Sequence, residues 1–112
     1  MKVSIILPSA VIIFMAVVGG AMVNKGAETL DLFGGERGVV SFPHHAHQTV
    51  LVDCNTCHAL FPQKLGSIQE LIQAGELKKK QVMNGHCTKC HRERKKAGEK
   101  TGPTACSKCH HK

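Results

Sequence analysis

The stretch "MNGHCTKCHRERKK", Met83 to Lys96, contains a five-residue unit, Cys87-Thr88-Lys89-Cys90-His91, that occurs twice more in the chain. The other two are Cys54-Asn55-Thr56-Cys57-His58 and Cys106-Ser107-Lys108-Cys109-His110, and together the three units use all six cysteines. On a helical turn, side chains three residues apart share a face. Each pair of sulfurs can therefore form thioethers with the two vinyl groups of one haem, while the next residue sets an imidazole under the iron. Covalent haem attachment requires this order and spacing. The expectation is three haem c groups, attached through Cys54, Cys57, Cys87, Cys90, Cys106 and Cys109, with His58, His91 and His110 as iron ligands.

Two other chemistries use paired cysteines. Zinc ribbons carry Cys-x-x-Cys units at comparable spacings, but a four-cysteine site would leave one pair unused. At this chain's histidine frequency, a histidine after all three pairs arises by chance roughly a few times in ten thousand. Disulfides within each pair would close very small loops and constrain the unfolded chain little, and they explain no histidine.

The remaining composition agrees with haem. The chain has 112 residues, no Trp or Tyr, and beyond Phe14 only Phe33, Phe42 and Phe61 as aromatic side chains. Once an export segment is set aside, roughly 90 residues remain, near the size at which a core needs help. Three porphyrins would supply the missing apolar mass. The N-terminus reads as such a segment: Lys2 precedes the apolar run "VSIILPSAVIIFMAVVGGAMV", which ends in small residues at Gly19, Gly20 and Ala21. The expectation is a signal peptide over residues 1–21 and one domain over 22–112. The alternative is an uncleaved anchor, because Val3 to Val23 matches the about 20 residues a membrane span needs.

Charge is uneven. Glu76 to Lys112 carries eleven Lys or Arg against three Glu, whereas Met22 to Gly75 carries three against five. Export and the scarcity of aromatics for base stacking argue against nucleic acid as the partner. The expected partners are periplasmic or membrane-associated redox proteins with acidic docking surfaces, and a membrane only if the N-terminal segment is retained.

Along the chain, "ETLDLF" and "GVVSF" flank "GGERG", which predicts a two-stranded hairpin with a glycine-rich turn. Pro43 closes it and suits the first turn of a helix bearing His44, His45, Ala46 and His47. Ser67 with Glu70 three residues on reads as a capping box opening a short helix through Ile68, Leu71 and Ile72, stopped by Gly75. A further helix is expected from Cys87 to Gly98. The histidines in "FPHHAH" are candidate second ligands, because His44 and His47 are neighbours on a helix whereas His45 points elsewhere. If His44 and His47 bind two different irons, one turn fixes two haems close together. With every iron six-coordinate no position is open to substrate, so the expected chemistry is electron transfer, not catalysis. The rivals are a multihaem redox enzyme with one open haem and a zinc-binding module.

"VVSFPHHAH" followed by the three Cys-x-x-Cys-His units resembles the triheme cytochromes c of the cytochrome c7 type, relatives of the tetraheme cytochromes c3, over Leu30 to His110. No fourth attachment unit lies between Ala59 and His86, so the triheme form is the closer match. The resemblance implies a small multihaem cytochrome fold of short helices and loops around three haems, with an N-terminal two-stranded β-hairpin. It implies residence in the periplasm and electron shuttling in anaerobic respiration, with metals or outer-surface cytochromes as acceptors. It also implies His44 with His58 on the first iron and His47 with His91 on the second.

In that family the last haem commonly takes its sixth ligand from a histidine four residues before the middle unit. Here that position is Met83. His86 is the alternative, but it abuts Cys87, whose sulfur ties it to the edge of the middle haem; His111 directly follows a ligand, and His45 lies off the ligand face. The expectation is Met83 with His110 on the third iron.

Overall fold

A computed structural model of the chain describes residues 24–112; the segment predicted to direct export, and its boundary at residue 21, lie outside them. The first described element is β1 (Thr29–Leu32), which pairs antiparallel with β2 (Val39–Pro43) in the register Leu30 with Phe42 and Leu32 with Val40. Successive strand side chains point to opposite faces, and Leu30, Leu32, Val40 and Phe42 form the half-buried face. A 3-10 turn at Gly35–Arg37 joins the strands within the predicted glycine-rich stretch.

The hairpin has a third partner that the sequence pattern did not predict. Residues His110–His111 form β3, antiparallel to β2, with Val39 opposite His111 and Val40 opposite His110. The sheet is therefore three-stranded, and its last strand is the exit of the third Cys-x-x-Cys-His unit. Gly38 makes this possible: its φ is 95°, and a Cβ there would collide with the His111 carbonyl.

Helix α1 (His44–Leu51) starts directly after Pro43. It ends in a three-residue turn in which the Asp53 N–H donates to the Leu51 carbonyl at 2.6 Å, with Val52 at φ 65° and ψ −45°. That is the strained form of the γ-turn, rare for a β-branched residue. Helix α2 (Asn55–His58) is the single turn of the first unit, and Asp53 Oδ1 accepts from the Asn55 N–H at 2.9 Å at its start.

Helix α3 (Ser67–Gln73) lies where predicted, but not for the predicted reason. Ser67 does not cap it. Gly66, at φ 78°, is the cap residue, Ser67 Oγ donates to the Pro62 carbonyl at 3.0 Å, and Glu70 pairs with Lys64 at 2.7 Å. The "FPQKLG" loop competes successfully for both side chains. At the other end the predicted stop at Gly75 is met: the Glu76 N–H returns to the Leu71 carbonyl at 2.9 Å and Gly75 to Ile72 at 3.1 Å, the bond pair of a Schellman motif.

Helix α4 (Thr88–Lys96) is preceded by a turn of π-helix at Met83–Cys87, so the helical path begins upstream of the predicted Cys87. Helix α5 (Cys106–Cys109) is the single turn of the third unit and leads straight into β3. Among the described residues only Leu77 and Ser67 are below a tenth exposed, and no helix is long and apolar enough to cross a membrane. Apolar side chains alone do not build this interior, as the composition indicated.

Candidate haem and iron-ligand sites

The fold brings histidines together in pairs across its elements. The rings of His44 on α1 and His58 at the end of α2 have centres 6.3 Å apart and are nearly perpendicular, at 83°. Those of His47 on α1 and His91 on α4 are 6.1 Å apart and inclined by 29°. Two imidazoles on opposite sides of one metal, each about 2 Å from it through nitrogen, have centres roughly 6 Å apart. Both separations fit one iron between each pair. Three residues separate His44 from His47, so one turn of α1 serves both pairs, and Phe42 packs against the His47 ring at 4.3 Å between centres.

Hydrogen bonds sort the histidines further. Nδ1 of His58 donates to the Phe61 carbonyl at 3.1 Å, that of His91 to Pro103 at 2.6 Å, and that of His110 to Gly38 at 3.3 Å. Nδ1 of His44 donates to the Ala27 carbonyl at 3.3 Å and that of His47 to Pro43 at 2.8 Å. A histidine that places its Nδ1 proton on a carbonyl presents a bare Nε2, and this is the usual outer support of a metal-bound imidazole. His45 is wired the other way, through Nε2 to the Gly26 carbonyl at 2.9 Å. The Gln48 amide nitrogen lies 3.5 Å from His44 Nε2, too long for a good bond, and it already donates to the Lys25 carbonyl at 2.8 Å.

In each unit the first cysteine is exposed and the second half-buried, and none of the six forms a disulfide among the described residues. Burial, then the nearby Cys90, pushes the Cys57 thiol up from its ordinary value. Cys87 is also raised, by burial first and then by Cys57 and Cys109; neighbours crowd it although its own surface is open.

The third site is built differently. Cys106, Ser107 and His110 line an open cavity of about 680 Å³ together with Glu36, Arg37 and Lys112. A sulfur and an imidazole beside two cations, against the single carboxylate of Glu36, suit a macrocycle bearing carboxylates. Among the described residues no second imidazole faces His110, whose ring is held by Gly34 and Gly38. Met83 and His86 are both half-buried on the π-turn. The wider turn carries the Met83 carbonyl to both the N–H and the Oγ1 of Thr88, the latter at 3.0 Å. The Met83 carbonyl is therefore bonded by the residue five on, Thr88, and not by Cys87 as in an α-helix.

No motif marked the residues that hold the imidazoles in place. "TGP" reads as a turn, but Gly102 also lies against the His91 ring: a Cβ there would sit 2.5 Å from Cε1 and 2.9 Å from Nε2. The next residue, Pro103, supplies the carbonyl that accepts from the same ring. A glycine-proline pair one helix after a Cys-x-x-Cys-His unit is the signal that was available.

Three haem-attachment units, each with its imidazole oriented through Nδ1, define a c-type cytochrome with several haems. The chain belongs to the family of cytochrome c7 and related cytochrome c, whose model matches residues 40–111. A cytochrome c7 of Geobacter metallireducens is 35% identical over 80 residues, spanning 71% of this chain and 72% of that protein. The solution structure of the triheme cytochrome PpcA from Geobacter sulfurreducens is 34% identical and superposes with a TM-score of 0.54, over 77% of this chain and all of the other. PpcB, a cytochrome c7 from the same organism, is 32% identical with a TM-score of 0.52 over the same shares. The chain carries three c-type haems with iron, and its class of activity is electron transfer.

Proposed function

We propose that the protein is a periplasmic carrier that passes single electrons among three six-coordinate haems and out to acidic redox proteins, in anaerobic respiration that ends on metals or outer-surface cytochromes. The ligand sets are His44 with His58, His47 with His91, and Met83 with His110. The observation that carries this reading is the pair of ring separations, 6.3 and 6.1 Å, between histidines whose Nδ1 atoms are already occupied by carbonyls. Such rings can only offer Nε2 to a metal. For the third iron, support comes from the lack of a facing imidazole among the described residues and from the place of Met83 four residues before Cys87, clear of its tether.

The residues set the conditions for transfer. Each carbonyl acceptor fixes an imidazole plane and raises the basicity of the nitrogen it presents, which favours the oxidised iron. A thioether at the third iron favours the reduced state, so that haem has the highest potential. Export places the chain where covalent haem attachment and redox partners meet. For docking, ten of the eleven basic residues between Glu76 and Lys112 are exposed, and Arg94 alone among them is held in an ion pair, with Glu99 at 2.8 Å.

One observation favours a second reading. The open cavity beside His110 suits a five-coordinate iron and hence a redox enzyme. Carbon monoxide added to the reduced native protein decides between them. The carrier leaves its spectrum unchanged, whereas stoichiometric uptake at one haem establishes the enzyme.

A further inference from the structure

His45 belongs to "FPHHAH" but has no part in either imidazole pair, and its wiring suggests a different task. Residues Lys25 to Glu28 run exposed along α1, before the first strand begins. Four successive carbonyls of this stretch are nonetheless taken up. Lys25 accepts from Gln48 Nε2 at 2.8 Å, Gly26 from His45 Nε2 at 2.9 Å, Ala27 from His44 Nδ1 at 3.3 Å and Glu28 from the His45 backbone N–H at 3.2 Å. The Lys25 N–H completes the set by donating to Gln48 Oε1 at 3.1 Å, so the Gln48 amide pairs with Lys25 in both directions.

We propose that residues 25–28 form a strap that orients the His44 imidazole, and that His45 and Gln48 are the positioning residues that latch it. This rests on the reading of His44 as a ligand of the iron at the first attachment unit. The distinction from the other imidazoles is physical. His47 and His58 find their acceptors within four residues, at Pro43 and Phe61, His91 finds its acceptor at Pro103, and His110 at Gly38, the residue next to β2, at the same 3.3 Å as the His44 bond. His44 depends on Ala27, in an exposed stretch that precedes β1 and is held to α1 by the bonds just given. An exposed segment outside helix and strand frays unless it is tied down. His45 grips one residue before Ala27 and Gln48 one residue before that, so the ring and both latches project from one turn of α1. Without them the Ala27 carbonyl leaves His44, whose plane and basicity are then unsupported.

The test uses the holoprotein, with cyanide as the probe ligand and resolved low-spin resonances to follow each haem. His45→Ala and Gln48→Ala should each speed cyanide entry at the haem attached through Cys54 and Cys57 by roughly 10- to 100-fold, the usual consequence of removing an outer support, and should raise its potential. The other two haems should not change. His45→Gln, whose Nε2 reaches as far as the imidazole's, should restore the original rate. His44→Ala tests the underlying reading: it must open the same haem. If His44→Ala opens it and both latch variants leave it untouched, the strap has no positioning role. If His44→Ala leaves all three irons as they were, the ligand reading falls, and the proposal with it. Equal effects of the latch variants on all three haems would mean general loosening and would also overturn the proposal. Should His45→Ala yield no holoprotein, Gln48→Ala carries the same comparison.

Discussion

Gly102→Ala adds one carbon where the structure has an imidazole. The new Cβ would lie 2.5 Å from His91 Cε1, 2.9 Å from Nε2 and 3.1 Å from Nδ1, all inside contact distance. Rotating the ring away would break the bond between Nδ1 and the Pro103 carbonyl, at 2.6 Å, and disturb the pairing with His47. Nor is the backbone at fault, since Gly102 is not among the glycines with positive φ. The cost is therefore one of overpacking, about 2 kcal/mol, which for a domain of this size lowers Tm by roughly 10 °C. The signature should be selective, with the haem at Cys87 and Cys90 losing its low-spin resonance pattern first. Gly98→Ala is the control: φ is 76° and no atom lies near its Cβ, so it should cost about 1 kcal/mol of backbone strain and leave every haem unchanged. Thermal unfolding followed at the haem band, with resonances assigned per haem, reads both. Gly102→Ala with an unaltered Tm and an unaltered middle haem would refute the packing described for His91.

Three further outcomes are expected. Val52→Gly should stabilise the protein by about 1 kcal/mol in denaturant unfolding, because φ 65° is strained for valine and ordinary for glycine; a loss of stability would mean that the turn at Leu51–Asp53 is not strained. Met83→Ala should open the third haem to cyanide, and Met83→His should lower its potential while keeping the iron low-spin; if His86→Ala perturbs that haem and Met83→Ala does not, the ligand is His86. Association with an acidic redox partner should slow as ionic strength rises across the range in which exposed charges are screened; rates indifferent to salt would leave the basic end without a docking role.

What could be read in the sequence was what covalent chemistry fixes. The spacing of Cys54, Cys57 and His58 and its two repeats follow from the geometry of haem attachment, so no knowledge of packing was needed. The hairpin was legible because "GGERG" must turn and the apolar residues alternate around it. Elements without a pattern of their own escaped. His110 and His111 carry no strand signal; they pair with Val39 and Val40 because α5 ends there and Gly38 leaves room. Ser67 and Glu70 had the spacing of a capping box, yet the Pro62 carbonyl and Lys64 took both side chains. The π-turn was illegible for a related reason, because it depends on Thr88 reaching the Met83 carbonyl and not on any periodicity. The carbonyls that orient the imidazoles come from Ala27, Pro43, Phe61, Pro103 and Gly38, and a backbone acceptor leaves no mark in a side-chain pattern.

On the proposed reading this chain is organised around three haems bound through its own cysteines, and residues 1–21 are removed on export. Intact mass of the protein purified from its native export pathway and denatured in acid and organic solvent tests it most directly. The expected result is one species, equal to a chain that begins near residue 22 plus three haems. A colourless chain, or one carrying fewer than three haems after complete maturation, would contradict it.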